Sequence, residues 1–376
     1  MKPETPSVRW RAYRKLSYDF KLFFPMLVLV GFGIVMVYSA SSAIAIKKHH
    51  GNDLYYLIRQ SEFVVVGLMA LLICRNVPYD FYRRNAYPLI LIALVMLLAV
   101  KFSPFGIKVN GSKRWLSLLG IRFQPSEFAR LVLVIFLAYS LNKKQDRIES
   151  FFIGFVPHVF FLMIFAGLII LQPDFGSVVI LAAITWVMMY VAGVPVRYLV
   201  TSVLAIMPFA YIHMMSAAYR IERWSAFLHP WRHASGEAYQ IVHSLMAFGS
   251  GGIWGTGIGK GFQKLFYLPE PHTDFIFSVI GEELGLVGVL AVLFLYILIL
   301  WSGLSIARNT DEFFGAYLAT GITAALGLQV CINLGVTLGM IPTKGLPLPF
   351  LSYGGTSLVI SMASIGILMN IGSGKT

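Results

Sequence analysis

The chain has 376 residues, 57% of them hydrophobic and only 12% charged, against about 25% charged in an ordinary soluble domain. So much apolar surface excludes a single water-facing fold. The net charge of +13 points to anionic lipid headgroups or an anionic lipid-linked substrate; nucleic acid is not expected, because no nucleic-acid-binding module stands between the apolar runs.

Residues 1–21, MKPETPSVRWRAYRKLSYDFK, are basic and too polar for a cleaved signal peptide, and are read as a cytoplasmic tail. Apolar runs close to the ~20 residues that cross a bilayer then follow one another. Ten spans are predicted, over 22–46, 56–75, 86–102, 125–142, 151–171, 175–193, 197–216, 274–303, 311–339 and 351–371. Alternating strand patterns are not recognised, which argues against a membrane barrel. The expected fold is all-α and polytopic, one integral membrane domain over 1–376. An even number of spans puts both termini on one side. The Lys/Arg bias of the short loops makes that side cytoplasmic. Cys74 and Cys331 lie inside apolar runs and read as small core residues, not as a disulfide framework.

Two loops on the outer side are long, 103–124 and 217–273. Long ordered loops in compact proteins are often functional. The outer loops also carry Lys113, Arg114, Arg122 and Lys344, against the topology signal. Solvated loop charge explains this, and so does an anionic ligand on that face.

Polar residues concentrate in four stretches: NGSKRWLSLLGIRFQPSEFAR (110–130), LQPDFGS (171–177), LPEPHTDFIFSVIGEELG (268–285) and IPTKGLPLPFLSYGGTS (341–357). Topology alone places all four at the outer mouth of the bundle. Asp274 stands where a span begins and can cap that helix. A carboxylate there can equally act as a general base or hold a divalent cation. Glu127 and Arg130 are three apart at the start of a span, so they share a helix face and can pair. Arg130 lies about one turn into the apolar run, and an intramembrane charge is a functional candidate by default. Asp174, between Pro173 and Gly176, is a turn residue or part of a site. On a helix continuous from Asp274, Glu282 lies within about 80° of the aspartate and is expected to face the cavity. Glu283 points the other way and is expected to pair inside the bundle. Ser352 and Thr356 are four apart, and Gly354 and Gly355 suit close helix packing.

Together, and in this order, the four stretches resemble the SEDS family (shape, elongation, division and sporulation) of bacterial cell-wall proteins. PTKGLPLPFLSYGGTS and SLMAFGSGGIWGTGIGKG are more similar to its division and sporulation branch than to its elongation branch. The resemblance implies a peptidoglycan glycosyltransferase that polymerises lipid II at the outer face of the bacterial cytoplasmic membrane, here at the division septum. It implies a class B penicillin-binding protein as cross-linking partner, with other division proteins. The family's essential aspartate falls on Asp274, as general base or as ligand of a divalent cation (Mg or Mn). Glu127, Arg130 and Asp174 are implied to line a cavity, with His272, Glu282, Ser352, Gly355 and Lys344 as further candidates. Lys113, Arg114 and Arg122 are the first candidates for the pyrophosphate, with Arg220, Arg223, Lys260, Lys264 and Lys344 in reserve. Two alternatives stand beside this: a lipid II transporter, and a division scaffold. A transporter should carry polar groups at the bilayer midplane, whereas these cluster at one mouth. No HExxH, P-loop, GxSxG or dinucleotide motif is present.

Overall fold

The computed structural model of the chain describes residues 6–109, 112–118, 121–216, 218–236, 238–265, 267–343 and 345–374. Its helices are α1 (Pro6–Lys48), α2 (Tyr55–Asn76), α3 (Tyr79–Arg84), α4 (Ala86–Phe102), α5 (Pro125–Lys143), α6 (Val156–Ile170), α7 (Phe175–Ala192), α8 (Val196–Met215), α9 (Ala218–Leu228), α10 (Tyr239–Gly251), α11 (Ile276–Arg308), α12 (Phe313–Thr337) and α13 (Gly355–Gly372). A helix lies over each predicted apolar run, as expected where backbone groups have no water to bond and must satisfy one another. Among the described residues, seven helices are long and apolar enough to cross a membrane: α1 over Phe20–Lys48, α2, α6 extended back to Phe151, α7, α11, α12 and α13. α4 and Val196–Pro208 of α8 are shorter apolar helices. The chain is a multi-pass membrane protein.

α13 is central, buried along nearly its whole length, and packs chiefly against α2, with α1, α12 and α5 around it. The rim shows its apolar side chains outward, among them Ile73, Leu91, Val95, Phe160 and Phe294, as a lipid-facing surface requires. Cys331 is exposed and Cys74 half-buried, so neither is the core residue the apolar runs suggested.

The loop 103–124 is not purely irregular. It holds an antiparallel three-stranded sheet, β1 (Gly106–Val109), β2 (Ser112–Leu118) and β3 (Ile121–Phe123), in the order β1-β2-β3. Ile107 pairs with Trp115, and Leu116 with Phe123. Leu116 is buried. Ile107 opposes Trp115 while Lys108 opposes Lys113, so Arg114 is the unpaired residue of a β-bulge, outside the two-residue alternation of β2. The segment 217–273 likewise carries α9, a 3-10 turn at Pro230–His233, and α10. α1 begins within the stretch read as a tail. α11 and α13 begin later than predicted, because Phe275 and Gly354 keep non-helical backbone angles.

α11 is broken at Gly285 (φ 63°, ψ −160°), and the glycine-rich segment 252–257 enters the break. Leu286 N donates to Gly252 O (2.9 Å) and Val287 N to Ile253 O (3.2 Å). Thr256 N donates to Glu282 O (3.0 Å) and Gly257 N to Glu283 O (2.9 Å). Backbone groups that a continuous helix would pair with each other are thus satisfied by the inserted segment. A side chain at Gly285 would be excluded twice, by its positive φ and by Gly255 N, 2.4 Å from where a Cβ would sit.

Candidate functional site

A cavity of about 250 Å³ opens at the end of the bundle that carries the sheet. Arg114 reaches it from β2, Asp174 from the α6–α7 turn, Gln240 and Asp274 from the α8–α11 segment, and Thr343 and Gly345 from the α12–α13 connection. Each of the four polar stretches therefore supplies at least one wall residue.

Arg114 is anchored before any ligand arrives. Its Nε donates to Gln172 O (3.2 Å) and its Nη2 to Pro173 O (2.5 Å). The same turn presents Asp174, which caps α7: Ser177 N and Oγ donate to its two carboxylate oxygens at 3.3 and 2.8 Å. Asp174 is thus cap and cavity wall at once.

Asp274 precedes α11 by two residues. Its carboxyl is pushed up to about 7, first by burial away from bulk water, then by the Glu270 carboxylate, with Arg114 pulling the other way. A Cβ on Gly345 would lie 2.6 Å from Asp274 Oδ2, so only glycine leaves that oxygen room. The backbone of the aspartate is held just as closely. Tyr353 N donates to His272 O (2.8 Å), Ser352 Oγ to Thr273 O (2.5 Å), and Asn333 Nδ2 to Asp274 O (2.9 Å).

Several expected cavity residues are elsewhere. His272 turns away from the cavity into a cluster with Tyr56 and Tyr353. Burial, then Lys48, pushes its imidazole down to about 4, so at neutral pH its 3.7 Å approach to Glu270 is not an ion pair. Ser352 fastens its own turn, accepting from Leu348 N (2.8 Å). Gly355 opens α13 against the ring of Phe63. Lys113, Arg122 and Lys260 are exposed and do not line the cavity. Lys344 and the side chains of Arg220 and Arg223 lie outside the described residues.

Glu282 was expected to face the cavity and does not. Its carboxylate accepts from Phe262 N (2.7 Å) and Gln263 N (3.2 Å). The angle drawn from Asp274 fails because Asp274 is not part of the helix. Glu283 is paired with Lys264 (2.6 Å), and both bond Ser39 Oγ, at 2.8 and 2.9 Å. Lys264 is therefore committed within the protein and is not a phosphate site. The adjacent glutamates hold the loop that breaks their own helix.

Glu127 and Arg130 are buried and paired, as their spacing suggested. They do not line the Asp274 cavity. Arg130 borders a separate, much smaller hollow with Gln329, Ser361 and Ser364. Gln240, Thr343, Gly345 and Asn333 were not singled out by the sequence. The one available signal was Asn333, one of two amides, with Gln329, in an apolar run.

No group of three or more His, Cys, Asp or Glu side chains converges among the described residues. A divalent cation of the Mg²⁺ type needs only one or two protein carboxylates when a substrate phosphate completes its shell. Asp274 and Asp174 supply that number, with Asp174 already engaged by Ser177.

The same chain can be set beside known proteins. The cell cycle protein family model that groups FtsW, RodA and SpoVE matches residues 20–376. The probable peptidoglycan glycosyltransferase FtsW of Trichlorobacter lovleyi is 44% identical over 364 residues, 97% of this chain and 95% of that protein. Stage V sporulation protein E of Bacillus subtilis is 38% identical over 359 residues, 95% and 98% of the two chains. A solved chain of a peptidoglycan synthase complex that coordinates polymerization and crosslinking superposes with a TM-score of 0.80 at 30% identity, covering 96% of this chain and 99% of that one. The rod shape determining protein RodA of Thermus thermophilus superposes with a TM-score of 0.70 at 28% identity, over 96% and 98%. The chain belongs to the FtsW/RodA/SpoVE family of cell cycle proteins, the SEDS family that its motifs resemble.

Proposed function

We propose that this protein is a peptidoglycan glycosyltransferase that polymerises lipid II into glycan strands at the outer face of the cytoplasmic membrane, as part of septal wall synthesis. The observation that carries the reading is one cavity in which Asp274, with a carboxyl near pH 7, stands with Arg114 and Asp174. The names of its relatives support the reaction class and the division role. The likeness to a synthase complex supports a class B penicillin-binding protein as partner.

The chemistry follows from the groups present. The 4-hydroxyl oxygen of the acceptor sugar attacks the anomeric carbon of the donor, and the bond from that carbon to the undecaprenyl diphosphate oxygen breaks. Asp274 takes the hydroxyl proton, and a base with a pKa near the working pH suits that task. The negative charge developing on the diphosphate falls to Arg114, which its two carbonyl contacts hold in place beforehand. A divalent cation held by Asp274 and Asp174 would neutralise further diphosphate charge.

The test is polymerisation of labelled lipid II by the purified protein with its class B penicillin-binding protein, the transpeptidase blocked. Polymer is expected from wild type and not from folded Asp274→Ala. Undiminished polymer from that variant would remove Asp274 from the reaction. Movement of lipid II across liposomes without polymer would favour transport.

A further inference from the structure

The His-Thr-Asp tripeptide is held by three successive carbonyls, and the last hold differs from the others. Tyr353 N and Ser352 Oγ belong to the loop beside the tripeptide. Asn333 comes from within α12, buried, more than fifty residues along the chain from Asp274. Its amide nitrogen carries two hydrogens and serves two carbonyls: Asp274 O at 2.9 Å and Leu346 O at 2.7 Å. Those carbonyls belong to the two segments that confront each other across the cavity. Leu346 follows Gly345, whose bare α-carbon faces Asp274 Oδ2. Leu346 also packs against Gly176, two residues past Asp174. A single NH₂ group thus fixes the aspartate relative to the glycine that gives it room, and reaches the second carboxylate through one side chain.

We infer that Asn333 is a positioning residue for Asp274: its two-carbonyl bridge sets where the carboxylate stands against Gly345, without itself touching the reacting atoms. The inference rests on Asp274 being the reacting carboxylate. An amide buried in a span needs strong partners, and Asn333 spends both donors on site backbone and none on its own helix. The charged groups that act on the Asp274 carboxyl are Glu270, which raises its pKa, and Arg114, which lowers it, with Asp174 in the same cavity. Loss of the bridge uncouples the backbone at Asp274 from that at Leu346, so the carboxylate is expected to leave its place against Gly345.

Asn333→Leu and the milder Asn333→Gln are compared with wild type in the full-length protein with its penicillin-binding partner. Two readouts are taken: steady-state polymerisation of lipid II, and the position of the Asp274 carboxylate against the Gly345 α-carbon in electron cryomicroscopy structures of wild type and variants. For Asn333→Leu, a misplacement of about 1 Å should be seen and should lower kcat by roughly 10²-fold, with KM for lipid II within about twofold. Asn333→Gln, which keeps both donors, should lie between. Wild-type kcat and an unmoved carboxylate in Asn333→Leu would overturn the inference. So would a loss of activity with an unmoved carboxylate, or failure of both variants to accumulate folded, since each marks a purely structural role. If wild-type polymerisation proves independent of Asp274, the proposed reaction falls separately, while the structures still decide whether Asn333 places that side chain.

Discussion

Replacing Lys264 by methionine removes the cation from the buried junction of α1, α11 and the inserted segment. Glu283 then loses its 2.6 Å partner and keeps two donors, Ser39 Oγ at 2.8 Å and Gly259 N at 3.0 Å. Breaking a buried ion pair by removing one partner costs ~3–5 kcal/mol. The two surviving donors put this case at the lower end, about 3 kcal/mol. For a chain of this length that corresponds to a fall in Tm of about 4 °C. Thermal unfolding of the full chain in detergent, followed by intrinsic fluorescence, measures it. The double variant Lys264→Met/Glu283→Gln removes the stranded charge and should recover most of the loss, giving a coupling of about 2 kcal/mol. A Lys264→Met protein within about 0.5 kcal/mol of wild type, or a double variant no better than the sum of the singles, would refute the reasoning.

Other outcomes follow from the same coordinates. The folded-state pKa of Asp274 is raised, so the enzyme should gain activity as pH rises through about 7, the deprotonation of the base. Glu270→Gln should move that acid limb down and Arg114→Met should move it up, read from kcat/KM against pH. The stability consequence has the opposite sense: the folded state favours the protonated acid, so the wild-type carboxylate works against folding increasingly between pH about 4 and 7. Asp274→Asn should therefore melt higher than wild type at pH 8 and close to it at pH 4, by fluorescence-detected unfolding. Gly345→Ala places a carbon 2.6 Å from Asp274 Oδ2. Overpacking of this kind costs about 1–3 kcal/mol, and displacing the carboxylate should lower the polymerisation rate by about 10²-fold; activity within threefold of wild type would show that the carboxylate is not held there.

Much of this was legible in the sequence, and the misses share one cause. Hydropathy locates helices because backbone in hydrocarbon has no other way to satisfy itself. The same averaging hid β1–β3, although an Asn-Gly pair follows Ile107-Lys108-Val109, a recognised hairpin signal. Arg114 could be named as a candidate but not separated from Lys113, because it is a β-bulge at Arg114, which no hydropathy pattern states, that interrupts β2 where it borders the cavity. Glu282 was misplaced by extending a helix two residues too far toward its N-terminus. The glycines of 251–261 read as loop composition, yet they fit a segment that fills a break in α11, which no local pattern states. Gly345 and Asn333 act on Asp274 from 59 to 71 residues away in sequence, where a motif carries no geometry.

The most direct measurement is an electron cryomicroscopy structure of the Asp274→Asn variant with its penicillin-binding partner and lipid II. The account predicts an acceptor 4-hydroxyl against residue 274 and a donor diphosphate at Arg114, within the cavity that Asp174, Gln240 and Gly345 border. Lipid II bound at the separate Arg130 hollow, with the Asp274 cavity holding no sugar or diphosphate, would contradict it.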